Sequence, residues 1–207
     1  MSKISFVYFD VGGVALKDLS DTSKWQEILN SIGLGKFDPE EVENIYKTHD
    51  DAICTGKIHL DELIPLYTKK FGIKIDTGYS LLKQTIDNFE QNKLIWPIVK
   101  KCQEKYKIGL LTDMWTEMFQ ELQKRELLPP FTWDVIVDST IVGMRKPNSE
   151  IYLLAQSIAD VPAAEILFID NREKNLVPAR KLGWQTFLYD SKDYAKSSSD
   201  LARFLDI

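Results

Sequence analysis

Four short stretches of the chain carry side chains that make one chemical set. They are Asp10-Val11-Gly12-Gly13-Val14, Thr112-Asp113, Arg145-Lys146-Pro147 and Asp170-Asn171. A carboxylate can attack phosphorus and form a covalent intermediate. The group in flight carries charge on its oxygens, so a cation and hydrogen-bond donors must meet it. Lys146 and the Thr112 hydroxyl fit those roles. Two carboxylates, Asp10 and Asp170, suit a hard, oxygen-liganded ion such as Mg²⁺. Such an ion would offset the repulsion between an anionic nucleophile and an anionic substrate.

These residues need a scaffold that brings them together, and the hydrophobic pattern supplies one. Apolar, β-branched or aromatic runs at Ile4–Phe9, Ile108–Thr112, Val135–Val137, Ile166–Ile169 and Thr186–Tyr189 read as strands buried on both faces. Helical patterns at Lys93–Tyr106, Thr116–Arg125, Ser149–Ile158 and Glu173–Leu182 separate the later runs. Alternating strand and helix implies right-handed crossovers and an α/β, doubly wound parallel sheet of about five strands. In such a sheet ligands bind beyond the C-terminal strand ends, where the strand order reverses. Asp10 follows the first run, Thr112 and Asp113 end the second, Lys146 follows the third past Gly143, and Asp170 ends the fourth.

One stretch breaks the rhythm. Residues 17–90 read as helices alone: Thr22–Ile32, Glu40–Ile53, Leu60–Phe71 and Tyr79–Phe89. Asp38-Pro39-Glu40-Glu41 is a helix start, with a capping acid, proline at the first helical position and acids in the first turn. An all-helical insert is therefore expected after the first strand, dividing the chain into a core of 1–16 and 91–207 and a cap of 17–90. Ser197–Ser199 is the one hint of low complexity.

Composition narrows the partners. A net charge of -5, with basic residues scattered, gives no electrostatic reason to expect nucleic acid or an acidic membrane. The run Ile4–Phe9 stops at Asp10, too short for a signal-peptide core or a membrane-crossing helix, so a cytoplasmic location is expected. Cys54 and Cys102 lack metal-ligand spacing and read as reduced, buried thiols. Nothing in the sequence reports the oligomeric state.

The chain resembles the haloacid dehalogenase superfamily, and within it the phosphatases with a helical cap after the first strand. The resemblance rests on Phe9-Asp10-Val11-Gly12-Gly13-Val14, Leu110-Leu111-Thr112-Asp113, Gly143-Met144-Arg145-Lys146-Pro147 and Phe168-Ile169-Asp170-Asn171, with Asn175 following. These occur in family order across essentially the whole chain. The resemblance implies a Rossmann-like core and a Mg²⁺-dependent hydrolase of a small phosphorylated metabolite. Asp10 would be the nucleophile, and Asp10, the Gly12 carbonyl and Asp170 would hold Mg²⁺. Thr112, Lys146 and the backbone N–H groups of Val11 and Asp113 would bind the phosphoryl oxygens. Asn171 and Asn175 would support the metal shell.

Similar phosphatases usually carry a second Asp, a general acid–base, where this chain has Gly12. Losing such a group costs roughly 10²–10⁴ in rate. Three readings follow. The first is a phosphatase that obtains its proton elsewhere; some sugar-phosphate phosphatases of the superfamily share the glycine, which makes a sugar phosphate the favoured substrate class. The second is a non-catalytic binding or regulatory relative. The third is a haloacid dehalogenase, disfavoured by the Asp170-Asn171 metal motif and by the lack of an Arg just after Asp10.

Other candidates have plainer explanations. His49 and His59 could replace the missing acid, but a helix-surface role is favoured for both. Asp50-Asp51 reads as a solvated helix face rather than a substrate-selecting pair. Trp115, close behind Asp113, is equally a substrate contact or a packing residue. Trp25, Trp96, Trp133 and Trp184 are expected in the core.

Overall fold

The computed structural model describes residues 3–20 and 22–207. Five strands form one parallel sheet: β1 (Phe6–Phe9), β2 (Lys107–Thr112), β3 (Val135–Asp138), β4 (Ile166–Asp170) and β5 (Gln185–Leu188). Their order is β3-β2-β1-β4-β5, so the winding direction reverses beside β1. The register pairs Phe9 with both Leu110 and Ile169, which brings Asp10, Thr112 and Asp170 to the same end of three adjacent strands. The expected α/β architecture is the one observed.

Both faces of the sheet are covered, as the continuous apolar runs require. Side chains alternate: Val7, Phe9, Leu110 and Ile169 enter one core, while Phe6, Tyr8, Leu111 and Phe168 enter the other. The second core holds Trp184 stacked on Tyr8, at 5.8 Å between ring centroids and 12° between planes. The first extends without a break into the helical insert, taking in Leu29, Ile53, Leu60, Tyr67 and Leu81.

That insert contains α1 (Lys24–Ser31), α2 (Pro39–Cys54), α3 (Leu63–Phe71, preceded by a 3₁₀ turn at Leu60–Glu62) and α4 (Leu81–Ile86). Asp38 caps α2 by accepting from the N–H groups of Glu40 and Glu41, as its sequence anticipates. The chain leaves and re-enters the sheet region side by side. Lys17 N donates to Glu90 O at 2.8 Å, and Asn92 N donates to Ala15 O at 3.1 Å.

The remaining helices are α5 (Trp96–Lys105), α6 (Met118–Lys124), α7 (Ser139–Val142), α8 (Ser149–Ala159), α9 (Glu173–Lys181) and α10 (Tyr194–Leu205). The expected helix over Tyr79–Phe89 shortens to Leu81–Ile86, because Ser80 caps its start on the N–H of Lys83. The serine run 197–199, the hint of low complexity, lies inside α10. Ser197 and Ser198 face inward, and their hydroxyls bond the Asp190 backbone and the Tyr189 hydroxyl. Satisfied in this way, small polar residues occupy positions that apolar ones would otherwise mark. Among the described residues no helix is long and apolar enough to cross a membrane.

Candidate active site

Three strand ends and one loop converge on Lys146. Its Nζ lies 2.9 Å from Asp10 Oδ1 and 2.8 Å from Asp170 Oδ2, and it donates to the Leu111 carbonyl at 3.1 Å. All of this is buried: Lys146 is 3% exposed, Asp10 7% and Asp170 0%. Lys146 owes its position to the loop after α7, where Gly143 takes a left-handed turn (φ 68°) and the Lys146 N–H donates to Asp113 Oδ1 at 3.0 Å. The carboxylate of Asp113 thus fixes the backbone of the lysine that serves its neighbours.

Charge at this point is unbalanced. Two buried carboxylates face one ammonium, leaving a negative excess. Burial pushes the Asp10 carboxyl up to about 7, and the nearby Asp170 and Asp113 add to the rise while Lys146 opposes it. Burial works against the charge on Lys146, yet Asp10 and Asp170 outweigh it and hold the ammonium protonated well above its usual range.

A divalent cation fits these residues. Besides Lys146, Asp170 is clamped by two further donors, the Arg172 N–H at 2.7 Å and Asn175 Nδ2 at 3.0 and 3.2 Å to its two oxygens. Asn175 Oδ1, Asn171 Oδ1 and the Thr112 hydroxyl are buried with no hydrogen-bond partner. Buried polar atoms without partners are rare in folded proteins and mark places where a ligand completes the set. Among the described residues no cluster of three or more His, Cys, Asp or Glu forms a metal site alone. An ion here would take oxygen from the backbone and from its other ligands as well.

The two glycines after Asp10 differ. Gly13 has φ +81°, and a Cβ there would lie 2.1 Å from Asn171 Nδ2. The Asn171 side chain lies over that gap and donates to Asp18 Oδ2 at 2.7 Å. A Cβ on Gly12 would meet nothing within 4 Å. Gly12 is exposed at the floor of the cavity above the strand ends, beside Val11, Thr112 and Asp113. The space beside Gly12 is therefore open.

This cavity is about 550 Å³. One wall is a stripe of α2: Glu43, Tyr46, Asp50 and Cys54 recur at helical spacing and all face it. Asp50 is therefore not on a solvated face. Its Oδ2 accepts from Arg145 Nη1 at 2.6 Å, joining the insert to the loop that carries Lys146. Asp51, a third of a turn round the helix, is the exposed one. Burial opposes ionisation of Asp50, but Arg145, aided by Tyr46 and Cys54, holds its carboxyl below the ordinary range.

Trp115 and Trp25 also line the cavity, and both pack against the core as well, as expected for Trp25. With Tyr46 they form an aromatic group, with ring centroids 5.2 Å apart for Trp25–Tyr46 and 6.4 Å for each ring to Trp115. Trp184 and Trp133 also pack in the core, Trp133 against Phe9 at 6.1 Å. Neither histidine lines the cavity. His59 instead caps the turn at Leu60–Glu62, its Nδ1 accepting from the Asp61 N–H.

No family model matches the chain. Bifunctional epoxide hydrolase 2 of Sus scrofa is 27% identical over 160 residues, 69% of this chain, and the chain spans only 28% of that protein. The sesquiterpene phosphatase astK of Aspergillus oryzae is 23% identical over 132 residues, 62% of this chain and 65% of that protein. Among solved structures, a HAD family enzyme from Bacteroides thetaiotaomicron superposes with a TM-score of 0.81 at 19% identity over 99% of both chains. The chain has the haloacid dehalogenase fold. The wild-type Bacteroides HAD enzyme has also been solved with magnesium and inorganic phosphate, and that form superposes with a TM-score of 0.76 at 21% identity over 92% of this chain and 96% of the other.

Proposed function

We propose that this HAD-fold chain is a Mg²⁺-dependent phosphomonoester hydrolase of a small metabolite, with Asp10 as nucleophile and residues 17–90 as its cap. One observation carries the reading. The buried Lys146 ammonium lies within 2.9 Å of both Asp10 and Asp170, beneath a cavity lined in part by Thr112, whose buried hydroxyl has no partner. Carboxylate, ammonium and free hydroxyl are the nucleophile, counter-charge and donor that phosphoryl transfer requires. The similar Bacteroides structure with magnesium and inorganic phosphate, and the similar sesquiterpene phosphatase, point the same way.

Mg²⁺ held by Asp10, Asp170 and the Gly12 carbonyl would neutralise the excess negative charge and lower the Asp10 pKa. The chain's own groups do the rest. Asp10 attacks phosphorus in line with the ester oxygen, the P–O ester bond breaks, and the departing alkoxide takes a proton from water. Lys146, Thr112 and the backbone N–H of Asp113 hold the phosphoryl oxygens; the Val11 N–H, expected to join them, instead donates to Asp10 Oδ1 at 2.8 Å and orients the nucleophile. Water then adds to the aspartyl-phosphate at phosphorus, releasing phosphate and restoring the Asp10 carboxylate. Asn175 holds Asp170, and Asn171 lies over Gly13, so the loop beneath the phosphoryl group stays fixed.

Phosphate release from a panel of small phosphomonoesters, with and without Mg²⁺ and in the Asp10→Asn protein, tests this. Release that requires both Mg²⁺ and Asp10 is the expected result. A folded, Mg²⁺-binding protein silent across the panel would refute it; chloride release from a haloacid would then be the next measurement.

A further inference from the structure

The floor of the cavity handles phosphate; its walls must choose what the phosphate is attached to. On those walls the carboxylates are tied to neighbouring groups. Glu43 Oε2 accepts from the Trp25 indole N–H at 3.1 Å. Asp50 accepts from Arg145 and from the Cys54 thiol. Asp18 accepts from Asn171, from the Ser20 N–H and from the Ser20 hydroxyl. Asp18 and Asp50, with several lone pairs so engaged, are poorly placed to take hydrogen bonds from the hydroxyls of a sugar, and Glu43 is tied through one oxygen.

Much of what the walls leave uncommitted is apolar. Trp25 and Tyr46 from the insert and Trp115 from the loop after β2 form the aromatic group described above, and the largely buried Met114 and Met118 line the same cavity. The tie from Glu43 to the indole N–H occupies the polar edge of Trp25 and leaves its ring surface for contact. Aromatic rings favour offset-stacked or edge-to-face partners, and thioether sulfur adds to such contacts. Basic side chains, Lys47, Arg172 and Lys174, are at the exposed rim, where they attract an anionic substrate.

We infer that the cavity selects phosphomonoesters whose leaving group is aromatic and apolar, in preference to the polyhydroxylated leaving group of a sugar phosphate. The inference rests on the phosphatase reading and names its substrate class; it departs from the sugar phosphate favoured by sequence resemblance. Trp25 and Tyr46 are the specificity-determining residues contributed by the insert, and Trp115 is the one contributed by the core.

The test compares 1-naphthyl phosphate with glucose 6-phosphate in two ways. One is kcat/KM in the wild-type protein with Mg²⁺; the other is calorimetric binding of both esters to Asp10→Asn. In binding the expected preference for the naphthyl ester is up to about tenfold, the size of one good ring contact; in kcat/KM, where naphtholate is also the better leaving group, the same contact adds a further factor of that size. Trp25→Leu should abolish most of it, whereas Trp25→Phe should keep it, and binding of inorganic phosphate should change in neither variant. Tyr46→Leu provides the same comparison should Trp25→Leu fail to fold. Equal or tighter binding of glucose 6-phosphate overturns the inference and leaves the phosphatase reading intact, as does a binding preference that survives loss of the rings. Tight naphthyl phosphate binding without turnover of either ester upholds the inference about the walls and refutes the phosphatase.

Discussion

Gly12 and Gly13 are adjacent in sequence, yet the structure makes opposite demands on them. Substituting each by alanine separates those demands. At Gly13 the backbone is left-handed, φ +81°, a conformation that costs an L-residue about 1–2 kcal/mol. The new Cβ would also lie 2.1 Å from Nδ2 and 2.4 Å from Cγ of Asn171, too deep into the amide for a small rotation to relieve. Asn171 must swing away and give up its hydrogen bond to the Asp18 carboxylate. Bonds to charged groups contribute about 1.5–3 kcal/mol, and Asp18 keeps its Ser20 donors, so the lower end applies. The sum is about 2–4 kcal/mol. For a domain of this size each kcal/mol moves Tm by about 2–4 °C, so Gly13→Ala should melt roughly 5–15 °C below wild type. Gly12→Ala meets no atom within 4 Å and should stay within about 0.5 kcal/mol. Thermal unfolding of the two variants side by side, without metal, decides the matter. Equal melting temperatures, or a lower one for Gly12→Ala, would refute the placement of Asn171 over Gly13.

Two further outcomes follow from the same geometry. Gly12→Asp places a carboxyl in open space at the cavity floor, where it can exchange protons with the leaving group and with water; phosphate release should rise, by up to about 10²-fold, and an unchanged or lower rate would show that the site meets its proton demand otherwise or needs the space. Asp10 should also mark the pH dependence of stability. Its folded pKa of about 7 lies above the ordinary 3.8, so the stability it contributes is full below about pH 4 and lost as pH rises through 7. The metal-free protein should therefore lose more stability between pH 5 and 8 than Asp10→Asn does, as read from urea midpoints; parallel losses in the two proteins would contradict the raised pKa.

Much of the sheet was legible because its strands are buried on both faces, so Ile108–Thr112 and Ile166–Ile169 stand out as unbroken apolar runs. The acids that end them could be ordered along the chain for the same reason, and the register places Asp10, Thr112 and Asp170 on adjacent strands. The cavity walls were not legible in that way. Asp50 meets Arg145 across 95 positions of chain, and no local pattern announces such a pairing. A signal did exist in α2, where Glu43, Tyr46, Asp50 and Cys54 follow one helical stripe that is too polar for a core and too aromatic for a solvated face. Trp25 joins Tyr46 and Trp115 only through the packing of the insert onto the sheet, a tertiary fact. In α10 the signal was masked, since Ser197 and Ser198 occupy inward positions that apolar residues usually reveal.

The central claim is that Asp10 itself accepts the phosphoryl group. Rapid acid quenching of the protein during turnover of a phosphomonoester with Mg²⁺, followed by mass mapping of its peptides, measures this directly. A phosphoryl group on the peptide containing Asp10, absent when Mg²⁺ is omitted and absent in Asp10→Asn, is the predicted result. Sustained phosphate release with Asp10 never modified, and undiminished in Asp10→Asn, would contradict the account.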